Sequence, residues 1–205
     1  MTELELMNAG ELHRFDDKEI DELAFRAQKL IEKYNSVPAN DEEARTEILK
    51  ELLGKVDGWC AIKPPFHCDY GKFIEIGEGS FLNYDCIILD ACKVKIGSHV
   101  FVGPRTCIYS ATHPIDAAVR IAGYDISKPV TICDNVWIGG NVVVNPGVTV
   151  GEGSIIGAGS VITKDIPPNV IAAGNPCRVI RKITEEDKRY WEEKRDQYLE
   201  TRAND

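Results

Sequence analysis

The stretch at residues 135–168, NVWIGGNVVVNPGVTVGEGSIIGAGSVITKDIPP, decides the fold. So much Ile, Val and Gly would suit a buried strand or a membrane span, but a small or polar residue interrupts it every two or three positions. Counting in sixes, Ile132, Ile138, Val144, Val150, Ile156 and Ile162 are all branched aliphatics. Four positions after each come Val136, Val142, Val148, Ser154, Ser160 and Ile166, which are small or β-branched. The position directly after each aliphatic reads Cys133, Gly139, Asn145, Gly151, Gly157 and Thr163, mostly residues that tolerate sharp turns. A period of six is neither 3.6 nor 2, so neither an amphipathic helix nor a hairpin explains it. A flat rung, a turn and another rung does. Three hexads make a triangular coil of about 18 residues whose aliphatic positions stack inside, and such a coil is stable only as a stack.

The same clock runs earlier through Ile76, Leu82 and Ile88 and, after a two-residue slip, through Ile96, Val102 and Ile108, which predicts a stack beginning near residue 60. It stops at one place. Residues 111–129, ATHPIDAAVRIAGYDISKP, carry charges and no sustained register, and the repeat then resumes in phase. A solenoid that keeps its phase across an insert has extruded a loop, and such loops often carry the binding site. His113 stands at its start.

Composition narrows the classes. The chain has 205 residues, 43% hydrophobic and 28% charged, with no apolar run of membrane-spanning length and no charged-then-apolar leader. A net charge of −9 disfavours nucleic acid or an anionic membrane as the main partner. The seven Cys are scattered, without the spacing of a disulfide framework or a zinc site, which points to a reducing cytoplasm. Cys86 and Cys92 occupy the small position of their hexads and read as packing residues. The four histidines, His13, His67, His99 and His113, form no ligand-spaced set; His99 reads as a turn residue, with His13 and His67 outside the repeat.

The ends are helical. Ile20, Leu23, Ala24, Ala27, Leu30, Ile31 and Tyr34 recur at helical spacing behind Asp16 and Glu19, an acidic variant of a capping box. A second helix is expected after Asn40, with Glu43 in its first turn and an end at Gly54. ITEEDKRYWEEKRDQYLE predicts a charged C-terminal helix opened by Thr184. The expected organisation is a helical segment over residues 1–58, a β-helix over 59–183 with the loop at 111–129, and a charged helix and tail over 184–205.

Several segments together resemble a known family. YSATHPID, NVWIGGNVVVNPGV and GAGSVITKDIPPNVIAAGNPCRVI look like the left-handed β-helix acyltransferases. FHCDYG, FLNYDCIILDAC and the paired N-terminal helices resemble the maltose, galactoside and nodulation O-acetyltransferases, the maltose type most. The likeness runs over roughly residues 5–183. It implies an all-β left-handed parallel β-helix, although spacing alone does not fix the hand and the usual crossover preference is right-handed.

It also implies a chemistry: acetyl transfer from acetyl-CoA to a sugar hydroxyl, direct and without a metal, in a cytoplasmic homotrimer with active sites between subunits. An unassisted alcohol is a poor nucleophile near neutral pH, so a base must take its proton. His113 matches the family's base. Asn83 matches a residue near the reacting hydroxyl, and Asp69 and Asp90 match acceptor-side positions. Trp137 resembles the family's active-site tryptophan or, equally, a subunit-contact residue. Gly140 matches a backbone amide that stabilises the thioester oxyanion, Ala158 the narrow pantetheine slot, and Thr163, Lys164, Arg178 and Arg181 the coenzyme A end. Relatives place an acidic residue where this chain has Phe15, leaving Asp16 and Asp17 as alternatives for that contact. Two other readings keep the hexads: an acetyltransferase for an antibiotic or amino-sugar, and a catalytically silent scaffold.

Overall fold

In a computed structural model that describes residues 1–203, the hexads form a parallel β-solenoid with three faces. One sheet stacks Lys55–Val56, Ile74–Ile76, Val94–Ile96, Val130–Ile132 and Thr149–Val150. A second stacks Cys60–Ile62, Ser80–Leu82, Phe101–Val102, Trp137–Ile138, Ile155–Ile156 and Val170–Ala173, closed by the antiparallel strand Arg178–Lys182. The third stacks Phe66–Cys68, Cys86–Leu89, Cys107–Tyr109, Val143–Val144 and Val161–Ile162. Each coil visits them in that order, so every aliphatic of the clock meets its counterpart one coil above, as in Ile88, Ile108, Val144 and Ile162. All four are at most 1% exposed, and so is each clock position from Ile132 to Ile162.

The second hexad position is equally buried, and there the chemistry of the corner shows. Where it is serine, the hydroxyl is satisfied by the backbone of the turn: Ser80 donates to Gly97 O at 2.7 Å and accepts from Val100 N at 3.0 Å. Ser154 likewise donates to Pro167 O and accepts from Val170 N. A buried hydroxyl without such partners would cost stability. Cys86 and Cys92 are 1% and 2% exposed, as packing residues should be, and all seven cysteines are free.

The faces differ outward. The first presents Glu75, Lys95, Thr131 and Thr149 and is a solvent face. The second presents the row Phe81, Phe101, Trp137 and Ile155, with Phe101 and Trp137 each more than half exposed. The third presents His67, Ile87, Cys107, Val143 and Val161.

The structure shifts several expected boundaries. The first rung is Lys55–Val56, paired with Glu75–Ile76, so the stack begins before residue 59. His67 belongs to a rung, not to a segment outside the repeat. The long helix is Lys18–Ser36, capped by Asp17, whose carboxylate accepts from Glu19 N and Ile20 N. Asp16 is instead bound to Arg14, so the expected box one residue earlier does not form. The next helix, Glu42–Leu52, is capped by Asp41 and ends at Leu53. Gly54 has another purpose: a Cβ there would lie 2.1 Å from Lys72 O, so the chain can cross the 71–74 turn only as glycine. A further short helix, Glu3–Ala9, carries a full Thr2–Glu5 capping box. The C-terminal helix Glu185–Ala203 has no buried residue and is tied to the solenoid by Arg181–Asp187 at 2.6 Å; residues 204–205 of the expected tail lie outside the described residues. Among the described residues no helix is long and apolar enough to cross a membrane.

Candidate active site

The insert at 111–129 has structure of its own. Ala111–Thr112 leaves the third face, pairs antiparallel with Tyr124–Ser127, and the chain then rejoins the first face at Val130. Between them a single helical turn, Ala117–Ile121, is capped by Asp116, and Arg120 Nη1 donates to Pro114 O at 2.8 Å, closing the tip. The N-terminal strand His13–Arg14 adds to the outer edge, with His13 opposite Asp125 and Arg14 opposite Tyr124. Sequence periodicity had no means of finding this three-stranded ribbon, because its strands are two to four residues long and one comes from the other end of the chain.

The ribbon explains how His113 is held. Thr112 lies opposite Ile126, so the next residue, His113, faces Asp125, and its Nδ1 is 2.5 Å from Asp125 Oδ1. A carboxylate only accepts, so Nδ1 carries a proton, and in the neutral ring Nε2 is the nitrogen with the free lone pair. The His113 ring is mostly exposed and Asp125 mostly covered, which suits a base that meets substrate and a partner that orients it.

Beside the ribbon lies the corner FHCDYG. Asp90 does not face an acceptor as expected: it is fully buried, and its two oxygens accept from Asp69 N, Tyr70 N and Phe73 N at 2.9–3.2 Å. It fills the two-residue slip of the hexad clock and shapes the turn that carries Asp69. Burial pushes Asp90 up to about 7 despite those amides and raises Asp69 to about 6. Tyr70 is pushed to about 12, first by burial and then by the carboxylates of Asp69, Asp90, Asp125 and Asp21. Tyr70 therefore feels Asp69, Asp90 and Asp125 together, and Asp125 holds His113, which makes one acidic corner between the third and first faces.

Asn83 lies elsewhere. It turns the corner between second and third faces, where Asn83 N, Gly103 N, Gly139 N and Gly157 N donate upward to Val102, Ile138, Ile156 and Ala172. This edge is lined by small residues because coils touch there: a Cβ on Gly103 would be 2.5 Å from Gly140 N, and one on Gly139 2.6 Å from Ala158 N. Gly140 and Ala158 belong to it, and Trp137 stands on the second face beside it. Asn83 Oδ1 accepts from Tyr84 N, which leaves its Nδ2 as donor. Thr163 and Lys164 occupy the corner above the His113 ribbon, and Lys164 and Arg178 line one groove with Asp165, Ile166, Cys177 and Val179. Arg181 is engaged by Asp187 through both of its terminal nitrogens. The expected residues thus fall on two edges of the prism, separated by the third face. Among the described residues no cluster of His, Cys, Asp and Glu is arranged to hold a metal ion.

Two family models match: the maltose acetyltransferase hexapeptide capping motif at residues 6–58, and the bacterial transferase hexapeptide of six repeats at 129–164. The galactoside O-acetyltransferase of Escherichia coli is 40% identical over 91% of this chain and 92% of its own length. The crystal structure of a maltose O-acetyltransferase from Clostridium difficile superposes with a TM-score of 0.89 at 47% identity, covering 90% of this chain and 98% of the other. A hexapeptide-repeat acetyltransferase from Vibrio cholerae, solved with acetyl coenzyme A, gives 0.84 at 41% identity over 90% and 100%. The chain belongs to the maltose/galactoside O-acetyltransferase family. It is an acyltransferase of the hexapeptide-repeat type.

Within that family frame, three residues around His113 are not legible in the sequence. Asp125 is twelve positions from His113, and only recognition of the hairpin would have put it opposite. Tyr70 lies inside FHCDYG, where no spacing singles it out. His13 lies outside the repeat, and it is buried across the strand pair from Asp125.

Proposed function

We propose that this protein transfers the acetyl group of acetyl-CoA to a hydroxyl of a neutral sugar by direct attack, with His113 as general base and Asp125 as the group that orients it. The observation that carries the reading is the 2.5 Å contact between His113 Nδ1 and Asp125, on a ribbon beside the acidic corner of Asp69 and Tyr70. Neutral His113 accepts the hydroxyl proton at Nε2 while the alcohol oxygen bonds to the acetyl carbon. Asp125 stabilises the imidazolium that forms. The tetrahedral oxyanion is met by donors on the other edge, the Gly140 amide and Asn83 Nδ2. Collapse breaks the carbon–sulfur bond and the proton passes from His113 to the departing thiolate, leaving ester and coenzyme A. Asp69 accepts from acceptor hydroxyls, and Asp90 acts behind it by fixing its turn.

The donor's pantetheine arm runs along the glycine-lined edge past Ala158. Its phosphates lie near Thr163, Lys164, Arg178 and Arg181, a local positive cluster on a chain of net charge −9. Arg181 meets phosphate only by loosening its pair with Asp187.

Geometry also supports a homotrimer. Asn83 and His113 stand at opposite edges of the third face, a rung of about five residues at 3.3 Å each, so on the order of 15 Å apart. One chain's Asn83 does not reach a hydroxyl at its own His113. A cyclic trimer that packs the apolar rows of one prism against the next brings the two edges together at each interface. The cell compartment consistent with seven free thiols is the cytoplasm.

The direct test is coenzyme A release, read as free thiol, over a panel of neutral sugars, sugar phosphates, uronic acids and amino-sugars. Acetyl esters on neutral sugars are the expected product. Turnover confined to amines would make the protein an N-acetyltransferase, and no turnover with any acceptor would favour the silent scaffold.

A further inference from the structure

The last strand and the C-terminal helix bring a carboxylate onto the basic end of the solenoid. Arg178 and Arg181 are three positions apart, which in a regular strand would set them on opposite faces. A bulge at Ile180 reverses that. Arg178 pairs with Ala173 and Arg181 with Ile171, on either side of the buried Ala172, so both arginines stand on the outer face of the second sheet. Lys164 shares a groove with Arg178. Arg178 Nη1 donates to the neighbouring Cys177 O at 2.8 Å, whereas Arg181 is clasped by Asp187, Nη1 to Oδ2 at 2.6 Å and Nη2 to Oδ1 at 2.8 Å.

Asp187 is fixed in that position from its own side as well. It accepts from Thr184 N at 2.9 Å and Thr184 Oγ1 at 3.0 Å, and its N–H donates to Thr184 Oγ1 at 3.4 Å, a capping box at the start of the helix Glu185–Ala203. Glu185 and Glu186 add negative charge in the same turn. The Arg181 guanidinium first, and then the Thr184 donors, hold the Asp187 carboxyl well below the usual carboxylate range, so it is an anion throughout the neutral range. Its two oxygens take the same pair of guanidinium N–H groups that a phosphate would take. The helix that carries it has no buried residue, so little apolar contact resists its moving aside.

We propose that Asp187 is an internal competitor of coenzyme A at Arg181, a positioning residue that lowers the affinity of the chain for the donor and for the product bearing the same phosphates. A phosphate and the Asp187 carboxylate cannot both hold the two terminal nitrogens of Arg181. Each donor molecule that binds through Arg181 therefore displaces the carboxylate, and each departing coenzyme A leaves it ready to return. One anion replaces another, and no covalent bond changes. This inference rests on the donor groove proposed above and adds to it the residue that sets the donor's affinity.

The experiment is calorimetric titration of coenzyme A into the full chain carrying Asp187→Asn, Arg181→Ala or both, with steady-state kinetics alongside and unfolding temperature as a check. Asp187→Asn keeps the shape and an acceptor for the cap but removes the charge. The coenzyme A Kd should fall about 2- to 5-fold, the scale of an exposed ion pair, and the acetyl-CoA KM with it, while the acceptor KM stays where it is. In the Arg181→Ala background that gain should largely vanish, because the competitor has nothing left to compete for. Unchanged or weaker binding by Asp187→Asn, with Arg181→Ala weakening it as expected, overturns this inference alone; weaker binding would mean that Asp187 presents Arg181 to the phosphate. A gain of equal size in both backgrounds also overturns it, as the effect of net charge. Full-strength binding by Arg181→Ala overturns the placement of the donor groove first.

Discussion

In the proposed reaction, His113 can serve as the base because Asp125 occupies its other nitrogen. Replacing His113 with Ala should lower kcat by about 10²- to 10⁴-fold while acetyl-CoA binding, measured by calorimetry, stays unchanged. Asp125→Asn keeps the shape but lets Nδ1 accept instead of donate, so kcat should fall on the order of 10²-fold, with a shifted lower limb of the kcat/KM pH profile. The two carboxylates of this corner, Asp69 and Asp90, make a separate prediction about stability. Asp69 and Asp90 titrate near 6 and 7 in the fold, above an unfolded value near 4. The folded state therefore binds more protons between these values, and its stability declines as pH rises from about 4 to about 7. Thermal unfolding should show a lower Tm at pH 8 than at pH 5, and Asp90→Asn should flatten that slope. At this scale the sequence revealed residues with a family counterpart, such as His113 and Asn83. It did not reveal which way a side chain points. Asp90 looked like an acceptor contact and is turned inward to hold a backbone turn.

The solenoid was legible because its signal is periodic and repeated: each coil repeats the same buried aliphatic, small corner residue and turn. The ribbon was not, because its strands are shorter than any pattern and are joined across the chain. Helix starts missed by one residue, since in both cases two polar residues precede the helix and only geometry shows which one caps. The glycine-lined edge makes a strict demand on side-chain size. Gly139→Ala puts a methyl against the Ala158 backbone, so the coil must open; destabilisation of about 1–3 kcal/mol, measured by urea unfolding, is expected. The basic end is separable from the ribbon. Lys164→Ala with Arg181→Ala should raise the KM for acetyl-CoA and leave the acceptor KM alone, with the difference shrinking at high salt. A rise confined to the acceptor KM would put the donor groove elsewhere.

For the whole molecule, the two edges decide the matter. His113 and Asp69 belong to the corner between third and first faces, Asn83 and Gly140 to the corner between second and third, and no bending of a packed prism brings them together. The account therefore requires that one working site draw on two chains. The measurement that tests this most directly mixes His113→Ala and Asn83→Ala proteins, each nearly inactive alone, unfolds and reassembles them in equal amounts, and confirms mixed trimers by a mass tag. Random assembly leaves about a quarter of the interfaces with an intact His113 from one chain and an intact Asn83 from its neighbour, so about a quarter of the parent activity should return. Confirmed mixed trimers that stay as inactive as the separate variants would contradict the shared site, and with it the mechanism built on it.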